Sequence, residues 1–204
     1  MGLDITAVSK LKPIEIPDNI EKWSDEYYDW EMEQESSIVN IYTHDAFQEA
    51  SEGLEDGAYV ELGESFGFRA GSYSGYGTFR EWLASAVMQG VLTQTGGAKS
   101  MWETGDGGDY GLPFMEMINF SDAEGAIGPV ASKKLYNDFR RYEIDVMNWM
   151  DEKYLTQTPI TSPDWRDEED KPLDKGDFEW FQARYKDWKN AFRIASDNGA
   201  VIFH

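Results

Sequence analysis

The stretch best equipped for chemistry is Gly63-Glu64-Ser65-Phe66-Gly67-Phe68-Arg69-Ala70-Gly71-Ser72-Tyr73-Ser74-Gly75-Tyr76-Gly77, where glycines at 63, 67, 71, 75 and 77 alternate with hydroxyls, rings and an arginine. Glycine lets a backbone approach a ligand closely, Ser72, Tyr73 and Tyr76 add polar handles, and the rings add stacking faces. Read as a loop running into a helix, with Arg69 and Arg80 nearby, the stretch could hold an anionic group through backbone N–H groups and guanidinium forks. It lacks the Lys-Ser/Thr ending of a Walker loop and is not GxGxxG after a strand in a βαβ unit. The plainer alternative is a glycine-rich turn whose aromatics pack in the core and whose Arg69 pairs with one of the many carboxylates.

A second constellation lies in Asn119-Phe120-Ser121-Asp122-Ala123-Glu124, which offers an amide, a hydroxyl and two carboxylates within six positions. Asp122 and Glu124 could serve as general base and acid if their surroundings separate their pKa values. With Asn119 and water they could instead share an Mg²⁺ ion. Three oxygen donors without a second cluster make a thin metal case, so no metal or other cofactor is expected. The competing reading is structural, because Ser121-Asp122-Ala123-Glu124 also has capping-box spacing and acids ahead of Pro129 suit a helix N-terminus. The two histidines, His44 and His204, come without neighbours that define a triad or a zinc site. Asp106 and Asp109 resemble a calcium loop only in composition. The candidate ligand-binding set is therefore Arg69, Ser72, Tyr73, Tyr76, Arg80, Asn119, Ser121 and His204, with Asp122 and Glu124 as the catalytic pair if the chain hydrolyses what it binds.

The elements that must position these residues follow from periodicity. Leu3–Val8 alternates apolar and polar residues as a half-buried strand does, and Ile38–Tyr42, Ala58–Leu62 and Ala200–His204 read as further strands. A helix is expected from about Thr78, on the capping spacing Thr78-Phe79-Arg80-Glu81, to Gly90. Pro129 suits the first turn of a second helix, whose buried stripe is Leu135, Phe139, Tyr142, Val146 and Trp149. A third helix follows Asp177, with Phe178, Phe181, Tyr185, Trp188 and Phe192 on one face, and leaves near Asn198-Gly199. Residues 13–37 combine prolines, acids and aromatics as an acidic excursion with a short helix, while 93–111 and 156–175 read as a flexible loop and a surface linker. Strands early and at the end, with helices between, predict an α+β fold: a mostly antiparallel sheet packed against about three amphipathic helices.

Composition bounds the partners. The 204 residues are expected to form a single domain. Apolar content of 41% and aromatic content of 15% exclude a disordered acidic chain. With no cysteine, disulfide frameworks and thiolate metal sites are excluded, and a reducing compartment fits. The sequence shows neither a signal peptide nor a membrane-spanning run, so a cytoplasmic protein is expected. A formal charge of −21 repels nucleic-acid phosphates, which leaves cationic, neutral or small partners. The acidity is uneven: between Glu15 and Glu64 Lys22 is the one basic exception. That stretch reads as a solvated face or as an acidic decoy for a protein's DNA groove.

Four segments together carry a resemblance: Gly2-Leu3-Asp4-Ile5-Thr6-Ala7, Phe66-Gly67-Phe68-Arg69-Ala70-Gly71-Ser72-Tyr73, Ile118-Asn119-Phe120-Ser121-Asp122-Ala123-Glu124-Gly125 and Gly199-Ala200-Val201-Ile202-Phe203-His204. They look like a family of proteins carried by bacteriophages and prophages, over most of the chain except the excursion and the 90–111 loop. The resemblance implies a setting and no mechanism: a virus-encoded accessory protein made in a bacterial cytoplasm, a setting in which host defence is a common target. The leading expectation is a polar pocket that binds a small anionic, nucleotide-like ligand and so counters defence signalling. The rivals are an acidic surface mimic that inhibits a host DNA-binding or defence protein, and a structural or morphogenetic phage component.

Overall fold

The computed structural model describes residues 2–34, 38–43, 47–88, 112–120, 125–160 and 171–204. Among these, seven strands and six helices run in the order β1 Leu3–Val8, β2 Leu11–Pro13, α1 Asp25–Met32, β3 Ile38–Ile41, β4 Gly57–Glu61, β5 Ser65–Gly71, α2 Tyr73–Met88, α3 Met115–Ile118, β6 Gly125–Ile127, α4 Pro129–Arg141, α5 Glu143–Thr156, α6 Lys175–Ala195 and β7 Ala200–Phe203. The fold is α+β. Two antiparallel sheets have the orders β5-β1-β7-β6 and β2-β4-β3.

The alternation of β1 decides the layering. Leu3, Ile5 and Ala7 point to the inner face, where they meet Phe66, Phe68, Val201 and Phe203 from the neighbouring strands. Helix α6 crosses that face, and its Phe181, Tyr185, Trp188 and Phe192 are fully buried. Trp188 is the hub, with ring centroids 5.0 Å from Phe68, 5.4 Å from Tyr76 and 5.7 Å from Phe203. Burying one side chain of this size contributes about 1.5–3 kcal/mol. On the outer face a smaller cluster joins Val8, Ala126, Ala200 and Ile202 to Leu11, Ile41 and Tyr59 of the second sheet. The second sheet therefore covers the Val8 end of the outer face, while Asp4, Arg69 and His204 at the other end stay exposed.

Several elements differ from their sequence expectation, each for a physical reason. The glycine-rich stretch is not a loop: Ser65–Gly71 is strand β5, and α2 begins at Tyr73, five residues ahead of Thr78. Phe66, Phe68 and Ala70 take the inner face, and Ser72 caps the helix, its Oγ accepting from Gly75 N–H at 3.0 Å. The second helix is two helices, α4 and α5, hinged at Tyr142, whose φ/ψ of −97°/3° leaves the α basin. The apolar period runs through this hinge without proline or glycine to mark it. The last helix starts at Lys175, because Asp174 and Asp177 form a reciprocal capping box. The 156–175 linker is anchored at both ends by buried Ile160 and Leu173. The 93–111 loop and the charge run within 166–170 lie outside the described residues.

In the acidic excursion, α1 is held by fully buried Tyr27, whose hydroxyl donates to Asn40 Oδ1. Burial, assisted by the charge of Glu31 and by Tyr28, pushes that phenol up to about 12 and keeps it a donor.

Two glycines separate close packing from loop flexibility. A Cβ at Gly199 would stand 2.8 Å from the Ser9 Cα and the Val8 carbonyl carbon, backbone atoms that cannot yield. At Gly75 it would meet Ser72 Oγ at 3.4 Å and Trp180 at 3.8 Å, ordinary contacts within a helix. We expect Gly199→Ala to cost at least about 2 kcal/mol in urea unfolding, and Gly75→Ala to add about 0.5–1 kcal/mol.

Candidate functional site

The register of the four-stranded sheet brings residues from distant segments to one end. Asp4 of β1 lies opposite Arg69 of β5, and beyond the Ile5–Phe203 pair the His204 N–H donates to the Asp4 carbonyl at 3.0 Å. Residues paired across an antiparallel sheet share a face, so Arg69, Asp4 and His204 form a row over three adjacent strands. Thr6 stands on the same face, its Oγ1 3.1 Å from His204 Nε2. The row holds a guanidinium, a carboxylate, an imidazole and a hydroxyl, and its three ionisable members are exposed.

Local structure aims this row. The β1–β5 register shifts between Leu3 and Asp4, and Gly71 adopts φ +119°. Together they make an irregularity of the kind that re-aims side chains at strand ends. The Arg69 guanidinium folds across the α-carbon of Gly2, where a larger residue would collide with it. Its backbone carbonyl accepts from Nη1 of Arg184 on α6. Arg184 is itself paired with Asp187 at 2.7 Å and stands 5.8 Å from the Phe68 ring centroid. Ser72 follows directly as the α2 cap, with Oγ 2.8 Å from that of Ser74, and half-buried Tyr73 packs against the core.

Tyr76 and Arg80 take a different place. Tyr76 is fully buried and its hydroxyl donates to the Met117 carbonyl at 3.1 Å. Arg80 is 5% exposed, lies 4.2 Å above the Tyr76 ring, and donates through Nη1 to the carbonyls of Ile118 (3.1 Å) and Phe120 (2.7 Å). Both side chains hold residues 117–120 against α2, inside the protein rather than in the surface row. Asn119, half-buried, ends α3 with its N–H donating to the Met115 carbonyl at 3.0 Å. Ser121, Asp122 and Glu124 lie outside the described residues, as does His44. Sequence reasoning did not single out Asp4 and Thr6; their only signal was the alternation that turns both away from the core.

A second polar cluster ties α3 to α4. Lys134 Nζ reaches Glu116 Oε2 at 2.7 Å, Asp138 Oδ2 at 3.1 Å and the Leu112 carbonyl at 3.0 Å, while Asp138 also accepts from Phe114 N–H at 3.0 Å. The lysine has three acceptors for its three protons, which makes the cluster a clamp. An open groove of about 630 Å³ beside it is lined by Lys133, Asn137, Ser196 and Asn198 among others. Among the described residues no group of three or more His, Asp or Glu is placed to hold a metal ion. None of their helices is long and apolar enough to cross a membrane.

Compared with protein-family models, curated proteins and solved structures, the chain matches none.

Two expectations follow from this geometry. Arg80→Met leaves the carbonyls of Ile118 and Phe120 without their donor inside the protein, and should lower unfolding free energy by about 2–4 kcal/mol. Arg69→Ala, at the surface, should change it by less than about 0.5 kcal/mol. The second concerns pH. Burial, only partly offset by Lys134, raises Glu116 above the ordinary 4.5, so the folded chain keeps this proton to higher pH than the unfolded chain. Stability from Glu116 is then fullest below 4.5 and declines as pH rises through the raised value. Glu64 is lowered by its hydrogen bonds to Arg193 (2.8 and 3.1 Å), so its contribution is full above 4.5 and is lost as pH falls below it. In urea titrations, the wild-type advantage over Glu116→Gln should shrink as pH rises above 4.5. The advantage over Glu64→Gln should shrink as pH falls below 4.5.

Proposed function

We propose that the exposed sheet end bearing Arg69, Asp4, Thr6 and His204 binds a small anionic ligand with a hydroxyl-bearing, nucleotide-like body. The observation that carries this reading is the cross-strand row itself. In a chain of charge −21, the register sets a guanidinium and an imidazole on either side of Asp4 on the uncovered part of the outer face. A guanidinium grips phosphate or carboxylate oxygens through paired charge-assisted hydrogen bonds. The imidazole, when protonated, adds a second donor, and the carboxylate between them accepts from ligand hydroxyls rather than from the anionic group. Ser72 and Tyr73 lie directly after β5 at the rim. Tyr76 packs against Phe203, the neighbour of His204, on the inner face of the sheet, while Arg80 and Asn119 stand apart from the row. Hydrolysis by Asp122 and Glu124 is an extension of the same reading.

The setting implied by the sequence resemblance completes the proposal: a phage or prophage accessory protein, working in a bacterial cytoplasm, that sequesters a small anionic signal of host defence. Titration calorimetry against mononucleotides, cyclic nucleotides, short oligonucleotides and inorganic phosphate tests it. We expect a saturable isotherm with at least one nucleotide and a loss of about tenfold or more in affinity for Arg69→Ala, with a smaller loss for His204→Ala. Binding that is unchanged by Arg69→Ala, or no heat with any of these ligands, overturns the reading.

A further inference from the structure

We infer that the face of α1, with the turn before it, is a docking surface for a basic amphipathic segment of another protein. This inference is independent of the ligand site at the sheet end and rests on four observations. Trp23, Tyr28 and Met32 are 43%, 48% and 84% exposed. They are one patch, because Trp23, Tyr28 and half-buried Trp30 surround the buried Tyr27 ring at 5.3, 5.7 and 5.7 Å, and Met32 follows Tyr28 by one helical turn. An exposed cluster of large apolar side chains marks an interaction site more often than a solvated face.

The backbone is the second observation. Trp23 sits in the left-handed region at φ +69°, a costly conformation for a bulky residue, and it carries the indole outward next to Tyr27. Third, the helix ends against its own dipole: Glu31 and Glu33 lie at its C-terminal end and no basic residue occupies the last turn. Eight residues with a single buried side chain form a helix that is marginal by itself. Strain, an opposed dipole and unburied rings in one short element are local conflicts of the kind retained for function.

Charge selects the occupant. Glu21, Asp25, Glu26, Asp29 and Glu33 are exposed around the rings, and the ammonium of Lys22, the sole base in the stretch, donates to the Asp56 carbonyl at 2.8 Å. Carboxylates interleaved with indole and phenol rings bind guanidinium and ammonium groups by ion pairing and by cation–π contact. A nucleic acid or an anionic membrane is repelled, and a second copy of a chain of charge −21 is repelled as well. What remains is a cationic protein segment with apolar side chains of its own, of the kind that otherwise faces nucleic-acid phosphates.

The test uses fluorescence anisotropy with a labelled amphipathic peptide of arginine and leucine, and a control peptide with glutamate in place of arginine. The full chain should bind the first saturably, with affinity falling as salt rises, and should ignore the second. Trp23→Ala/Tyr28→Ala, which leaves the charge unchanged, should weaken binding about tenfold. Tyr28→Ala/Met32→Ala serves as the second aromatic-face variant should the first fail to fold by circular dichroism. Asp25→Asn/Asp29→Asn should weaken binding similarly and flatten the salt dependence. Asp151→Asn/Glu152→Gln removes the same charge from α5 and should change affinity by less than about twofold. An equal loss in that control means that binding follows net charge alone and overturns the inference. So does unchanged binding in the folded aromatic-face variants, or no binding of the arginine peptide at all. Self-association that disappears with Tyr28→Ala/Met32→Ala, seen by light scattering, would assign the face to a second copy and overturn it too.

Discussion

The structure depends on the pairing of β1 on both of its edges. This strand is hydrogen-bonded to β5 on one side and to β7 on the other, so residues 3–8, 65–71 and 200–203 share a single register. A slip of one residue would turn Leu3, Ile5 and Ala7 out of the core and Asp4 and Thr6 into it. Because the inner face is sealed by Trp188, Phe181, Tyr185 and Phe192 of α6, that slip is strongly disfavoured. The same constraint that secures the core fixes Arg69, Asp4 and His204 in a row. Core packing and site geometry are therefore one decision.

Polar tethers then position what the apolar core cannot. Arg80 and Tyr76 reach from α2 to the carbonyls of Met117, Ile118 and Phe120 at and just past the end of α3, and Lys134 fastens the start of α3 to α4. A four-residue helix has almost no cooperative stability of its own. Its place is set by these bonds together with the burial of Met115, Met117 and Ile118. An arginine spent on backbone carbonyls inside an acidic protein is a structural device, although its sequence position, one helix turn past a glycine-rich stretch, resembles that of an anion-binding residue.

The negative charge is likewise divided by function. Acids around α1 stand in solvent beside exposed rings, whereas Glu116 and Asp138 are drawn inward to a lysine and Glu64 is joined to Arg193 across the sheet edge. The sheet end keeps Arg69 and His204 at the surface. Uniform acidity in the composition thus becomes a patterned field, with exposed acids gathered around α1 and an exposed guanidinium, Arg69, at the open end of β1.

By itself the sequence determined the α+β class, the strand at Leu3–Val8 and, to within one residue at each end, those observed at Ile38–Ile41, Gly57–Glu61 and Ala200–Phe203, the short acidic helix, and the aromatic stripe of the last helix, because each rests on local periodicity. It also marked Arg69, Ser72 and Tyr73 as neighbours of interest. It misread the glycine-rich stretch as a loop, since its composition concealed the inward alternation of Phe66, Phe68 and Ala70. It ran two helices together, because an apolar period continues through the Tyr142 hinge. Only the tertiary structure decided that Arg80 faces inward and Arg69 outward, and that Asp4 belongs beside His204. Those are outcomes of strand register and helix packing, which join residues 200 positions apart and leave no trace in local spacing.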